Sequence, residues 1–242
     1  MSRVAVVTGG ASGIGLGIVE HLARAGHRVA LFDVQAEAVA KAAADLGVVG
    51  HVVDVGDRAA VDAAVASVRA ELGPIDIVVT SAGINATGPF TGISVDDWER
   101  ALRVNLTGTF HCIQSVVPDM LAAGWGRIVT ISSSSAQSGA PGRAHYVASK
   151  GGVISLTRAL AVELSPEGIT ANTIAPSVVD TPMAQEGVAS GEVPPLADLA
   201  AFIPVRRVST PDDIAAACAF LCSDDAGTIT GQVIGVNGGM YI

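Results

Sequence analysis

The chain is poor in charge, in aromatics and above all in basic residues. Charged residues make up 15% of its 242 positions and aromatics 4%, while half are apolar, which excludes a disordered chain and allows one large core. Lys and Arg number 14 against 23 Asp and Glu, a formal charge of −9, and they form no cluster. Such a surface repels phosphate backbones and anionic lipid, so neither nucleic acid nor a membrane is predicted as a partner. No apolar run approaches the roughly eighteen residues of a membrane helix. The opening stretch Met1–Thr8 is too short for a signal peptide and runs straight into glycines, so a cytoplasmic protein is predicted. Three cysteines make no disulfide framework, and Cys218 and Cys222 read as one buried helical face rather than a redox pair. His21, His27, His51 and His111 have no ligand spacing, so no metal is expected. Glycine, in contrast, is abundant at 28 residues, placed at turns and not in the three-residue repeat of collagen.

Short runs rich in valine and isoleucine read as strands buried on both faces, near Val4–Val7, Val29–Phe32, His51–Val53, Ile75–Val79, Arg127–Ile131, Ala171–Ile174 and Val233–Val236. Alanine-rich segments of helical spacing separate them. Ile14–Ala25 ends at Gly26, Ala59–Leu72 at Gly73-Pro74, and Thr210-Pro211-Asp212-Asp213 carries the cap, proline and acids of a helix start. Alternating strands and helices predict one α/β domain over residues 1–242, with a mainly parallel sheet covered on both faces. The least regular stretch, 177–207, is predicted to be a lid over the substrate.

Thr8-Gly9-Gly10-Ala11-Ser12-Gly13-Ile14-Gly15 follows the first strand and opens the first helix. Glycines there let the backbone approach a ligand closely, and a helix N-terminus offers free N–H groups to a pyrophosphate. The second strand ends at Asp33, where a dinucleotide fold holds the ribose 2′-hydroxyl. A carboxylate accepts hydrogen bonds from a diol and repels a 2′-phosphate, and neither Ser12 nor the residues after Asp33 supply a cation, so NAD(H) is expected over NADP(H). The alternative for Asp33 is a cap for a helix over Gln35–Asp45.

Tyr146 and Lys150 stand four apart, in a chain with two tyrosines and two lysines. At that spacing they share a helix face. Moving a hydride to a ketone requires a proton for the developing alkoxide; an unperturbed phenol titrates at about 10, and a nearby ammonium lowers that value. The serine run Ser132–Ser135 follows the fifth strand, at the end of the sheet where ligands sit. His145 adjoins the tyrosine but not on its face, and is set aside as a base.

These residues, with Asp54-Val55, Ser81-Ala82-Gly83, Asn105 and Pro176-Ser177-(x3)-Thr181, resemble the short-chain dehydrogenase/reductase family along essentially the whole chain. The resemblance implies a Rossmann-type doubly wound α/β fold with a seven-stranded, mainly parallel sheet. It places the catalytic serine thirteen residues before the tyrosine, at Ser133. It makes Tyr146 the acid/base, Ser133 the group that polarises the carbonyl, and Lys150 the residue that binds the nicotinamide ribose and lowers the tyrosine pKa. Asn105 would hold a water linking Lys150 to solvent; the alternative is a buried asparagine bonding local backbone. The implied cofactor contacts are Gly9, Ser12, Gly13, Ile14, Gly15, Asp33, Asp54 and Val55 (adenine), Ser81, Ala82, Gly83, Tyr146, Lys150, Pro176, and Val179 and Thr181 (carboxamide or phosphates). Ser81 departs from the family's asparagine, which braces the central sheet. Ser177 departs from its glycine, and would be strained if that position needs positive φ.

The expected function is hydride transfer between NAD(H) and a small-molecule secondary alcohol or ketone, by a homo-oligomer, most commonly a tetramer in similar proteins. One alternative is a β-ketoacyl thioester reductase of lipid or polyketide synthesis, which would need a basic patch for an acidic carrier; Arg127, Arg143 and Arg206-Arg207 are the candidates. A non-catalytic dinucleotide sensor on the same fold is the other.

Overall fold

The computed structural model describes residues 2–191 and 193–242. In chain order the elements are β1 (Val4–Thr8), α1 (Gly13–Arg24), β2 (Arg28–Asp33), α2 (Ala36–Leu46), β3 (Val49–Val52), α3 (Arg58–Leu72), β4 (Ile77–Thr80), α4 (Val95–Leu102), α5 (Gly108–Ala123), β5 (Gly126–Ile131), α6 (Ser135–Ser138), α7 (Ala144–Leu164), β6 (Ile169–Pro176), α8 (Pro182–Ala189), α9 (Leu196–Ala200), α10 (Pro211–Leu221) and β7 (Val233–Val236). The seven strands form one sheet in the order β3-β2-β1-β4-β5-β6-β7, and every pairing is parallel.

Strand alternation divides the core. Val4, Val6, Phe32, Val78 and Ile128 point to the side covered by α3, α5 and the end of α7, where Val61, Val65, Cys112, Val116 and Leu164 meet them. Ala5, Val7, Leu31, Val79 and Val129 point to the other side, against Ile18 and Leu22 of α1, Val39 of α2, and Ile214 and Cys218 of α10. Cys218 and Cys222 are buried free thiols in this second layer. Both faces are therefore closed, as an all-parallel sheet requires. No helix among the described residues is long and apolar enough to cross a membrane.

The strand order reverses between β1 and β4, and there a crevice opens beyond the strands' C-terminal ends. The boundaries differ from the sequence reading by two or more residues at three strands. β3 starts at Val49, because this edge strand leaves Val52 57% exposed and blurs the apolar pattern. β4 starts at Ile77: Ile75 is buried and the Asp76 backbone already bonds Val4 O (2.9 Å) and the Arg127 amide (3.1 Å), but the Val4 amide goes to the Asp76 carboxylate at 2.9 Å and not to a main-chain carbonyl. β6 runs two residues beyond the read run at each end, from Ile169 to Pro176, because all eight residues are buried and the outer ones still pair, Thr170 with Arg127 of β5 and Pro176 with Val236 of β7. The stretch 177–207, of which residue 192 lies outside the described residues, contains α8 and α9 and is less irregular than its prolines suggest.

α10 begins with a full capping box: Thr210 Oγ1 accepts from the Asp213 amide at 3.3 Å, and the Asp213 carboxylate accepts from the Thr210 amide at 2.8 Å. Since α10 packs along α1, the helix that opens the crevice, Thr210→Ala is expected to cost about 1 kcal/mol and lower Tm by about 2–4 °C in a thermal melt.

Candidate active site

The turn between β1 and α1 is built for backbone, not side chains. Gly9 has φ +65°, and a Cβ there would lie 2.9 Å from Ala82 backbone atoms in the loop after β4. A Cβ on Gly15 would lie 2.0 Å from Gly9 O. Ser12 caps α1 in extended backbone with no side-chain hydrogen bond, so the first amides of α1, at Gly13, Ile14 and Gly15, remain available to an anion. Thr181 lies directly over this turn, its Cγ2 being 3.3 Å from where a Gly13 side chain would begin. Thr181 also caps α8, accepting from the Ala184 amide at 3.3 Å, and the buried Val179 just before it bridges to Ser209.

Asp33 closes β2, and its carboxylate accepts from the amides of Ala11 (3.3 Å) and Gln35 (3.2 Å). It therefore joins β2 to the glycine turn and does not cap α2, whose N-cap is Gln35. Asp54 accepts from Arg103 Nη1 (2.8 Å) and from the Gly56 amide (2.8 Å), and the Arg103 hydrogen bond holds its carboxyl below the usual range. Val55 is buried, its carbonyl 3.0 Å from His111 Nδ1.

Across the crevice, the Ala82 amide donates to Thr8 Oγ1 at 3.1 Å, so Thr8, not the side chain at position 81, links β1 to the loop Ser81-Ala82-Gly83. Ser177 follows Pro176 without strain. Among the described residues Arg206 alone combines a side chain with positive φ, and Ser177 Oγ donates to Asn237 O at 3.1 Å. The position does not need glycine's freedom, and the serine adds a tie to the loop after β7.

Tyr146 and Lys150 lie one turn apart on α7. Lys150 is buried, its Nζ donating to Ile131 O at 2.8 Å, and burial pushes its pKa down to about 8. Ser132 Oγ returns a bond to Lys150 O at 3.0 Å. Both tie the end of β5 to α7, so the buried Ser133, one residue on, is fixed relative to Tyr146. Asn105 sits in a π-helical turn (Arg103–Thr107) between α4 and α5. Its Nδ2 donates to Ile84 O (3.2 Å) and Ser149 Oγ (3.0 Å), its Oδ1 accepts from the Ile84 amide (2.8 Å), and Ser149 Oγ donates to Tyr146 O (2.7 Å). A Cβ on Gly83 would come within 3.2 Å of Asn105 Oδ1 and 3.3 Å of Lys150 Nζ, so glycine keeps the space between them open.

The sequence reading missed Ser149 and Ser132 as braces and Asn85 as a partner of Arg143; the signal available was their adjacency to Lys150, Ser133 and Ile84. Of the basic residues offered as a carrier patch, Arg127 is buried at the far end of β5, where it stacks on Trp125, and Arg207 is paired with Asp213. Arg143 lies over the Tyr146 ring.

An uncapped helix N-terminus, two glycines that tolerate no Cβ, and an acid at the end of β2, all at the switch point of a doubly wound sheet, fit a dinucleotide. Beside them stand a serine, a tyrosine and a buried lysine. This combination defines a nicotinamide-dinucleotide oxidoreductase. The family model described as "Enoyl-(Acyl carrier protein) reductase" matches residues 9–241, and the chain belongs to the short-chain dehydrogenase/reductase family, whose members act on CH–OH and keto groups. It is 40% identical to the acetoacetyl-CoA reductase of Shinella zoogloeoides, over 100% of this chain and 99% of that one. It is 41% identical to the D-threitol dehydrogenase of Mycolicibacterium smegmatis, over 99% and 93%. A variant of actinorhodin polyketide ketoreductase solved with NADPH superposes with a TM-score of 0.94 at 35% identity, over 99% and 97% of the two chains.

Lys150 carries a stability cost that has a sign in pH. With its folded pKa near 8 and an ordinary value of 10.5, the ammonium is charged in both states at pH 7 and the folded state bears the whole burial penalty, about 3 kcal/mol. Lys150→Met removes that penalty but leaves the Ile131 carbonyl without its donor, which costs about 1 kcal/mol. Denaturant unfolding should show the variant more stable by about 2 kcal/mol at pH 7, with the advantage gone by pH 10, where the wild-type penalty has fallen below about 1 kcal/mol.

Proposed function

We propose that this chain moves a hydride between NAD(H) and a secondary alcohol or ketone, with Tyr146 as general acid/base. The observation that carries the reading is the buried Lys150, whose Nζ bonds Ile131 O beside Ser133 while its helix presents Tyr146 one turn away. The bound nicotinamide dinucleotide supplies or takes up the hydride. Tyr146 Oη gives its proton to the substrate oxygen in reduction and receives it in oxidation. Ser133 Oγ donates a hydrogen bond to the same oxygen, favouring the charge it develops. The Lys150 ammonium favours the phenolate that proton transfer leaves behind and holds the nicotinamide ribose. Asn105 takes the place of the water-holding group between Lys150 and solvent, supported by the gap that Gly83 leaves open.

The first amides of α1, with Thr181 above them, take the pyrophosphate; Ala82, Gly83, Pro176 and Val179 border the nicotinamide half, and Asp54 and Val55 the adenine. The NAD preference rests on Asp33, since the similar ketoreductase carries NADPH. Asp33 is followed by Val34 and Gln35, and the next cation along the chain, Lys41, is committed to Asp45. Residues 177–207 serve as the lid. Exposed Trp98, Phe110 and Val162 on α4, α5 and α7 support a homotetramer, and three free thiols support a cytoplasmic setting. Similarity to an acetoacetyl-CoA reductase favours one second reading, reduction of a β-ketoacyl thioester at the same three residues.

Tyr146→Phe is expected to lower kcat by about 10²–10⁴-fold in a 340 nm assay over a panel of secondary alcohols, with NADH affinity retained. Equal loss of NADH binding would contradict the assigned role. Wild-type kcat/KM should favour NAD+ over NADP+ by at least about 100-fold, and Asp33→Ser should narrow that ratio at least about tenfold. Equal wild-type efficiency with both dinucleotides would remove the preference.

A further inference from the structure

The short loop after β3, Asp54-Val55-Gly56, is seated on one block of chain: the π-helical turn Arg103–Thr107 and the first turn of α5. Arg103 Nη1 donates to Asp54 Oδ2 at 2.8 Å. Val55 packs so closely on Gly108 that a Cβ there would lie 2.6 Å from Val55 Cγ2. His111 Nδ1 donates to Val55 O at 3.0 Å, since a carbonyl oxygen can only accept. The same block carries Asn105, which reaches Ile84 and Ser149 beside Tyr146 and Lys150.

Of these contacts, the Arg103 bond is the one that stability explains least. The side chains of Arg103 and Asp54 are 50% and 44% exposed, and an ion pair so open to water adds little to folding. The chain nevertheless keeps a path clear for it. Arg103 lies across Gly56, where a Cβ would come within 3.0 Å of Cζ and 3.1 Å of Cγ, so a side chain at position 56 displaces the guanidinium. Gly56 is not among the described glycines with positive φ, so its backbone conformation is open to other residues. What glycine provides at 56 is room for Arg103. The Asp54 carboxylate is thereby held at both oxygens, Oδ2 by Arg103 and Oδ1 by the Gly56 amide at 2.8 Å. Two donors leave about half of a carboxylate's acceptor sites unfilled.

We propose that Arg103 is a positioning residue for cofactor recognition: it fixes the Asp54 carboxylate as an acceptor for the 6-amino group of adenine, so that the chain distinguishes a 6-aminopurine dinucleotide from a 6-oxopurine one. This rests on the placement of adenine at Asp54 in the dehydrogenase reading and adds the residue that sets the contact. The chemistry is one of sign. Adenine presents a donor at its 6-position, whereas a 6-oxopurine such as hypoxanthine presents an acceptor there. A carboxylate held in place accepts from the first and repels the second, while one free to swing away does neither well. Gly56 enters as the residue that leaves Arg103 its path.

Reduced dinucleotides report their own binding by nicotinamide fluorescence, without an alcohol substrate. The wild-type protein should bind NADH at least about tenfold more tightly than its hypoxanthine analogue. Arg103→Met and Gly56→Ala, which break the same contact from its two sides, should each weaken NADH at least about threefold and leave the analogue within about twofold; Arg103→Lys should fall between wild type and Arg103→Met. In turnover the loss should appear in KM for NAD+, with kcat within about twofold. A brace for the turn that carries Asn105 would behave differently: kcat would fall with both dinucleotides alike, and that result overturns the proposal. Equal weakening of the two dinucleotides, discrimination that both variants retain, or a wild-type protein that binds the two equally would each overturn it as well. Discrimination that depends on Arg103, in a protein that oxidises no alcohol, would leave the positioning role standing and overturn the dehydrogenase reading instead.

Discussion

The arrangement of this site depends on a buried ammonium. Lys150 is enclosed, no carboxylate pairs with it among the described residues, and its Nζ is held by a main-chain carbonyl at the end of β5. A charge in that position is tolerated because the fold over-determines it. Ser132 returns a bond to the lysine's own carbonyl, and Asn105 reaches Ser149 on the same helix. The bonds that bear the cost also fix the register of β5 against α7. Ser133 and Tyr146 are placed as a consequence: one projects just past the strand's end, the other one turn up the helix. Stability given up at a functional group is recovered as preorganisation around it.

The same economy appears on the cofactor side of the crevice. The loops after β1 and β4 approach until there is no room for a Cβ at Gly9, and Gly15 meets the carbonyl of Gly9 in the same way. Close backbone packing leaves the α1 amides pointing into the switch point of the sheet, where no side chain among the described residues claims them. Asp33 then joins the turn to the end of β2, so the helix terminus and the acid belong to one rigid unit.

Much of this was legible because it is written in local pattern. Valine-rich runs between alanine-rich helices set the sheet, and the glycine turn, Asp33 and the Tyr146–Lys150 spacing each imply a geometry within one or two elements. What escaped was non-local or bound to backbone conformation. Asn105 is a plain polar residue in sequence; its reach to both Ile84 and Ser149 follows from a π-turn that no local pattern announces. Whether Ser177 is strained turned on a backbone angle that the family's glycine left open; the loop here runs at ordinary φ and uses the hydroxyl. β6 was read short because polar Thr170 and terminal Pro176 break the apolar run, although both are buried and paired, with Arg127 and Val236. Arg127 and Arg143 looked alike as surface cations; parallel strand direction separates them, one at the entry end of β5 and the other at the mouth beyond its exit.

Two cations flank Tyr146, and their surroundings differ in kind. Lys150 is enclosed and bonded to protein on the cofactor side. Arg143 is only partly buried, stacks on the Tyr146 ring and donates to Asn85. Each cation ties α7 to a different element, Lys150 to the end of β5 and Arg143, through Asn85, to the loop after β4. The Tyr146 ring is therefore fixed from two directions, by a central strand and by the loop beyond its neighbour, and neither hold depends on the acidic surface of the molecule as a whole.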